Sequence, residues 1–255
     1  MKSRLITILI LSCCLCAFSQ QSSFVLTVLT NSGDTRQLYY SDEIDYIDFT
    51  DDAMVVHPIS GGEQPFARSD VQWVVMNEDA HQVVDLGLSV KWSVCNLDGN
   101  APHDYGSLYS WGETSSKANY SESRYKYYSK GQYQYIGTNI CGTVYDAARV
   151  LWGGHWRLPT RAEVKELTTL CTWTPDEVEG VEGYRVTGPT GNSIFLPSAG
   201  YQDSTERKET GTGGFYWTGT LNRDMPSSAY NINFRGYDAE WSASRAYGFS
   251  IRPVR

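Results

Sequence analysis

Acid–base, nucleophilic and metal chemistry each need particular residue types at particular spacings, and this chain offers few of them. It has four histidines, His57, His81, His103 and His155. Neither Gly-x-Ser-x-Gly nor His-Glu-x-x-His occurs. His155 lies between Gly154 and Trp156 with no carboxylate near it in sequence. That setting suits a partly buried turn residue better than a base. Glu163 and Glu166 stand at i, i+3, a spacing that can pair carboxylates for proton transfer. A helix cap accounts for Glu163, and a solvated helix face for Glu166. Gly211-Thr-Gly-Gly214 is glycine-rich but does not lead from a strand into a helix, so a phosphate cradle is not expected. Past the first nineteen residues, Cys-x-x-Cys and Cys-x-x-His are absent, which argues against structural zinc. The expectation is a non-enzyme without cofactor or metal.

Recognition chemistry is better represented. Trp241 sits in the polar run Tyr237-Asp-Ala-Glu-Trp-Ser-Ala-Ser-Arg245, read as a loop. An indole beside carboxylates and guanidinium groups suits stacking on a sugar ring or anchoring a protein partner. Apolar and polar residues alternate through Tyr230-Asn-Ile-Asn-Phe-Arg235, which predicts a strand with one buried and one wet face. Arg223, Asp224, Asn231, Asn233, Arg235, Tyr237, Asp238 and Arg245 would share the wet face with Trp241. Tyrosine, asparagine and arginine supply rigid contact area and adaptable hydrogen bonds, as in antibody loops.

The elements that must position these residues fall into two regions. Residues 20–82 hold an internal repeat. Gly33 precedes Ser41-Asp42 as Gly61 precedes Ser69-Asp70, and Leu38 matches Phe66 at the same offset. Each unit reads as a hairpin followed by a third short strand. Two copies can pair their apolar faces where one would be marginal. Self-association through this module is an open role for it. Residues 83–255 form the larger region. Val83 to Trp92 suits a hairpin, and Leu108 to Trp111 a short strand. Residues 113–140 are a tyrosine-rich surface excursion. A short helix runs through Tyr145 to Trp152 and stops at Gly153-Gly154. A second starts at Thr160, where Thr160-Arg-Ala-Glu163 is a capping box. It carries Val164, Leu167 and Leu170-Cys171 at helical spacing. Strands follow over 184–187, 193–196, 214–218, 230–235 and 249–251. Trp92, Trp111, Trp152, Trp156 and Trp217 are expected in the core.

Composition sets the address. Lys2 and Arg4 precede the apolar run Leu5 to Cys16, and Ala17-Phe18-Ser19 fits a cleavage site. Residues 1–19 therefore read as a signal peptide, with lipidation at Cys13 as the alternative. The expected location is the periplasm, the outer surface or the medium. No other run is apolar enough for a membrane span. Without Lys2 and Arg4, nineteen basic residues face 29 acidic ones, a net charge of −10. Such a balance argues against nucleic acid as a partner. Cys95, Cys141 and Cys171 remain, and export permits one disulfide among them, with Cys95–Cys171 the candidate pair.

Several motifs then combine. Val84-Asp-Leu-Gly-Leu-Ser-Val-Lys-Trp92, Tyr105-Gly-x-Leu-Tyr-x-Trp-Gly-Glu-Thr114, Asp146-Ala-Ala-Arg149, Trp152-Gly-Gly-x-Trp-Arg-Leu-Pro-Thr160, Gly191-Asn-Ser-Ile-Phe-Leu-Pro-Ser-Ala-Gly-Tyr201 and Arg252-Pro-Val occur in this order. Over residues 83–255 the chain resembles the fibrobacter succinogenes major paralogous domain, a family of exported bacterial proteins. The N-terminal repeat resembles a small β-module seen beside such domains. The resemblance implies an α+β, C-type lectin-like domain with two helices on twisted antiparallel sheets, preceded by an all-β module. It also implies that the segment between Trp217 and Arg252 displays the binding surface, for a surface glycan or protein. A structural or assembly subunit is the alternative. Arg-Leu-Pro-Thr before a Glu-bearing helix is also similar to formylglycine-generating enzymes. Those need a late cysteine pair, and no cysteine follows Cys171. The Glu-Pro-Asn, Gln-Pro-Asp and Trp-Asn-Asp signatures of calcium-dependent lectins are missing too.

Overall fold

A computed structural model describes residues 24–30, 36–40, 44–78, 81–234 and 241–255. The signal segment 1–19, Cys13, the turn Gly33-Asp34 and residues Arg235, Tyr237 and Asp238 lie outside the described residues.

The repeat forms six strands: β1 (Phe24–Thr30), β2 (Arg36–Tyr40), β3 (Ile44–Phe49), β4 (Ala53–Pro58), β5 (Gln64–Ala67) and β6 (Val71–Glu78). The two units do not fold separately. One sheet has the order β2-β1-β6 and the other β3-β4-β5. Each unit keeps its hairpin and gives its third strand to the other unit's sheet. The exchange is symmetric in register. Val28 pairs with Val74 and Leu26 with Met76, while Val56 pairs with Ile47 and Met54 with Phe49. Leu26, Val28, Ile44, Met54 and Val56 make one buried cluster, so the two sheets share a single small core. Gly61 and Gly62 turn the second hairpin at φ of +88° and +91°, a region that only glycine enters freely.

Among its described residues the larger region adds twelve strands and two α-helices. A first hairpin joins β7 (Val83–Val84) to β8 (Trp92–Ser93). The tyrosine-rich stretch holds one 3₁₀ turn, Glu122–Arg124, and the hairpin β9 (Tyr128–Ser129) with β10 (Gln132–Tyr133). It is less superficial than its polarity suggests, because Tyr120 and Tyr125 are buried. Helix α1 spans Ala147–Trp152, capped by Asp146 and stopped at Gly153, whose φ is +75°. Helix α2 spans Arg161–Leu170 and begins with the expected capping box of Thr160 and Glu163. Its buried residues are Val164 and Leu167. Leu170 is exposed because the helix ends there and Cys171 is already extended.

Beyond α2 the chain is β. Strands β11 (Thr172–Val178), β12 (Val181–Thr187) and β13 (Ser193–Pro197) form a meander. A small hairpin follows, β14 (Tyr201–Asp203) with β15 (Glu206–Lys208). The last sheet is β16 (Gly214–Leu221), β17 (Ser228–Phe234) and β18 (Trp241–Ser244). It divides two cores. Phe215, Trp217 and Ala229 join Trp111, Trp156 and Phe249 on one face. Tyr216, Ile232 and Phe234 meet Val164 and Leu167 of α2 on the other. The C-terminal arm closes the region. Phe249 bridges to Tyr109, Ser250 to Tyr216, and Val254 to Trp92 and Arg157. Lys91 and Arg255 exchange backbone hydrogen bonds.

Two expectations are corrected here. The α+β, lectin-like architecture is not what forms. Among the described residues α-helix is confined to six residues in α1 and ten in α2, and strands in several small antiparallel sheets carry the fold. Glycines truncate the first helix, and the β-forming run after Cys171 ends the second. The candidate pair Cys95–Cys171 is not bridged, since all three described cysteines are free. Cys95 packs in the first core and donates to the Gly99 carbonyl at 3.1 Å, whereas Cys171 packs against the second core. The core expectation for Trp92, Trp111, Trp152, Trp156 and Trp217 matches their burial.

Candidate functional site

The acid–base candidates are occupied structurally. Arg157 forks Glu163 at 2.6 and 2.9 Å while Glu163 accepts from the Thr160 amide. Burial opposes that charge, but Arg157 and Thr160 outweigh it and hold Glu163 below the usual carboxylate range. Glu166 is not free on a solvated face, since it accepts from the Ser89 amide at 2.9 Å. His155 is exposed rather than partly buried. His81 stacks on Trp152 with 3.8 Å between ring centroids. Asp146, a residue the sequence marks only as part of a motif, is fully buried. It accepts from the amides of Gly142, Leu158 and Arg149 and so ties α1 to the Arg-Leu-Pro-Thr turn. Burial prevails over those bonds and raises its pKa to about 6.

The recognition candidates part company. Arg223 and Asp224 are exposed in the turn after β16, where the Asp224 amide donates to Asn222. Trp241 is 53% exposed, at the start of edge strand β18 rather than in a loop. Asn231 is buried, and Asn233 is half-buried. The expected wet face of β17 is therefore a correction, because both faces of this central strand are covered. Asn231 and Asn233 pair in register with Trp217 and Phe215 and share their side of the sheet. Arg245 is the second correction. The chain turns inward after β18, and Arg245 is 1% exposed. It donates to the Tyr125 hydroxyl at 3.0 Å, the Gln134 carbonyl at 3.0 Å and the Pro226 carbonyl at 3.2 Å. Its guanidinium also lies 4.8 Å from the Trp111 ring centre and 5.5 Å from that of Tyr133. No ligand reaches such a group from solvent; it is a clamp.

What the clamp holds is the candidate surface. It joins the tyrosine hairpin β9–β10, the turn 222–227 and the end of β18. Side chains reinforce the joint: Tyr133 bonds Ser244 at 3.1 Å, and Asn222 donates to Ser242 at 3.0 Å. Three large apolar side chains project from these held segments, Tyr135 (76% exposed), Met225 (54%) and Trp241 (53%). The sequence marks Tyr135 only as one tyrosine of the 113–140 surface excursion, and Met225 not at all. Their signal is position beside a buried arginine, which one-dimensional patterning does not contain. Among the described residues no group of three metal-ligating side chains occurs, and no helix is long and apolar enough to cross a membrane.

No family model, curated protein or solved structure matches this chain.

Proposed function

We propose that the chain is an exported, non-catalytic binding protein that recognises a surface ligand, a glycan or a protein, through the C-terminal loops of its larger region. The observation that carries this reading is the exposure of Tyr135, Met225 and Trp241 on segments fixed by one buried arginine. Rigid aromatic anchors on a fixed framework give contact area at low entropic cost. Purified protein on arrays of glycans and of surface proteins tests it. Trp241→Ala should weaken the bound partner by roughly 30-fold, the cost of about 2 kcal/mol typical of an anchoring tryptophan. Undiminished affinity in Trp241→Ala and Met225→Ala would remove this surface from the ligand site.

A structural or assembly subunit is the second reading. It rests on exposed apolar side chains of the N-terminal module, whose acidic balance over residues 20–82, eleven acidic to two basic, opposes self-association at low salt. These side chains are Tyr46, Phe49 and Ile59. Concentration-dependent mass, lost on Phe49→Asp, would support that role.

A further inference from the structure

Strand β3 is an open edge. Among the described residues its one neighbour in the sheet β3-β4-β5 is β4, so alternate N–H and C=O groups of β3 point away from the sheet. Its exposed apolar side chains lie on both faces. Tyr46 and Phe49 are three residues apart in a regular stretch of the ladder, where Tyr46 pairs with His57 and Phe49 with Met54. They therefore point to opposite sides of the sheet. Tyr46 is 49% exposed and Phe49 63%. A body lying flat on the sheet would cover one of them. A strand laid along the edge covers both.

The two edges of this sheet are guarded differently. Strand β5 has four residues and carries Pro65, which has no N–H to give. Strand β3 has no proline. It has a bulge between Ile44 and Tyr46, and residues 42–52 hold six acidic residues with no lysine or arginine. Asp45, Asp48, Asp51 and Asp52 are all exposed. Such charges turn away a second copy of the same edge, because like charges across a strand pair repel. They attract a cationic strand.

We propose that the β3 edge binds an extended segment of another protein, rich in lysine or arginine, by adding it to the sheet as a further strand. Main-chain hydrogen bonds hold the segment, Tyr46 and Phe49 give it apolar contact on the two faces, and the aspartates select its basic side chains. The inference lies apart from the ligand-recognition reading, which concerns the larger region. It rests on the assembly reading and names the chemistry of its partner.

The test titrates the full chain, by calorimetry, with a synthetic peptide of alternating lysine and valine, about eight residues long to span the six of β3. Two control peptides separate the contributions. One has glutamate for lysine. The other has proline for valine, which keeps the charge and removes every second N–H. The lysine–valine peptide should bind, and both controls at least about tenfold more weakly. Salt at about 0.5 M should weaken binding by a similar factor. Asp45→Lys combined with Asp48→Lys, which alters only exposed side chains, should do the same. Equal binding of the lysine–proline peptide would reduce the contact to charge and overturn the proposal, as would undiminished binding to the double variant. No peptide bound, with a mass that rises with protein concentration, would overturn it too, yet leave the assembly reading standing with a second copy as partner. No peptide bound and a constant mass would remove both.

Discussion

Arg252 is fully buried, and its hydrogen-bond partners are neutral oxygens. Nε donates to Asn96 Oδ1 at 2.9 Å, Nη1 to the carbonyls of Ser93 and Val94, and Nη2 to the Phe195 carbonyl at 2.8 Å. One side chain therefore pins the C-terminal arm to the segment after β8 and to β13. Burial depresses its pKa, but arginine stays charged through the physiological range. In Arg252→Met the chain keeps similar bulk and escapes the desolvation cost of the charge. It also leaves four oxygens without a donor, three of them main-chain carbonyls that no second mutation can delete. Each buried acceptor left without its donor costs about 1–3 kcal/mol, and the escaped desolvation cost offsets part of the total, so the net loss is about 3–5 kcal/mol. In a domain of this size each kcal/mol moves the melting temperature by about 2–4 °C, so the expected fall is about 10 °C. Arg252→Lys offers three donors without the planar fork and should recover part of it. Arg185→Met is the control, because its pair with Asp176 at 2.6 Å is half-exposed, and such surface pairs are worth about 0–1 kcal/mol. Thermal melts of the three variants would decide. If Arg252→Met melts no lower than Arg185→Met, the claim that neutral oxygens hold this arm through a buried charge is refuted.

Arg245→Met should lower stability by about 3 kcal/mol for the same reason. Trypsin cleavage after Lys130 and Arg223, within the segments it clamps, should also accelerate, as limited proteolysis would show. Asp146 gives a pH signature. Its folded pKa of about 6 lies above the unfolded value of about 3.9, so its contribution is full below pH 4 and is lost as the pH rises through 6. At about 1.4 kcal/mol per unit this removes up to about 3 kcal/mol of stability, a slope in denaturant midpoints that Asp146→Asn should flatten. Burial raises the pKa of Cys95, Cys141 and Cys171, Cys141 to about 12. Each should resist alkylation at pH 8 in the folded chain and gain one adduct in denaturant without reductant. A missing pair of adducts would reveal a disulfide.

Local rules were readable from the sequence wherever local chemistry decides. Thr160-x-x-Glu163 capped its helix, Gly153 stopped another, and Gly188 to Gly191 turned β12 into β13. The repeat was readable too, but the exchange of β3 and β6 was not, because similar apolar strands in the two units can satisfy either partner. Strand β11 escaped notice because Pro175, Asp176 and Glu177 look like a loop, whereas proline and charge are tolerated on an edge strand. The site residues failed by polarity. Asn231 and Arg245 were assigned to solvent because buried polar groups are rare, and only the neighbouring loops reveal what surrounds them. The lectin-like architecture rested on motifs that fix turns and core tryptophans, and those do not determine how much helix lies between them.

Arg252 and Arg245 share a design with a functional consequence. Both grip main-chain carbonyls, and Arg245 takes those of Gln134 and Pro226 on the two exposed segments of the candidate surface. A carbonyl is present whatever side chain follows it. The segments can therefore change their side chains while the clamp keeps their backbone in place, which is what a recognition surface on a fixed framework requires. Gln134→Ala tests this directly. Its side chain makes one exposed bond to Ser129 at 3.0 Å, so the variant should stay within about 0.5 kcal/mol of wild type, as surface substitutions usually do. Arg245→Met should fall several times further although it presents nothing to solvent. Equal losses in the two variants would mean that Gln134 is held by its side chain, and the separation of framework from contact residues would fail.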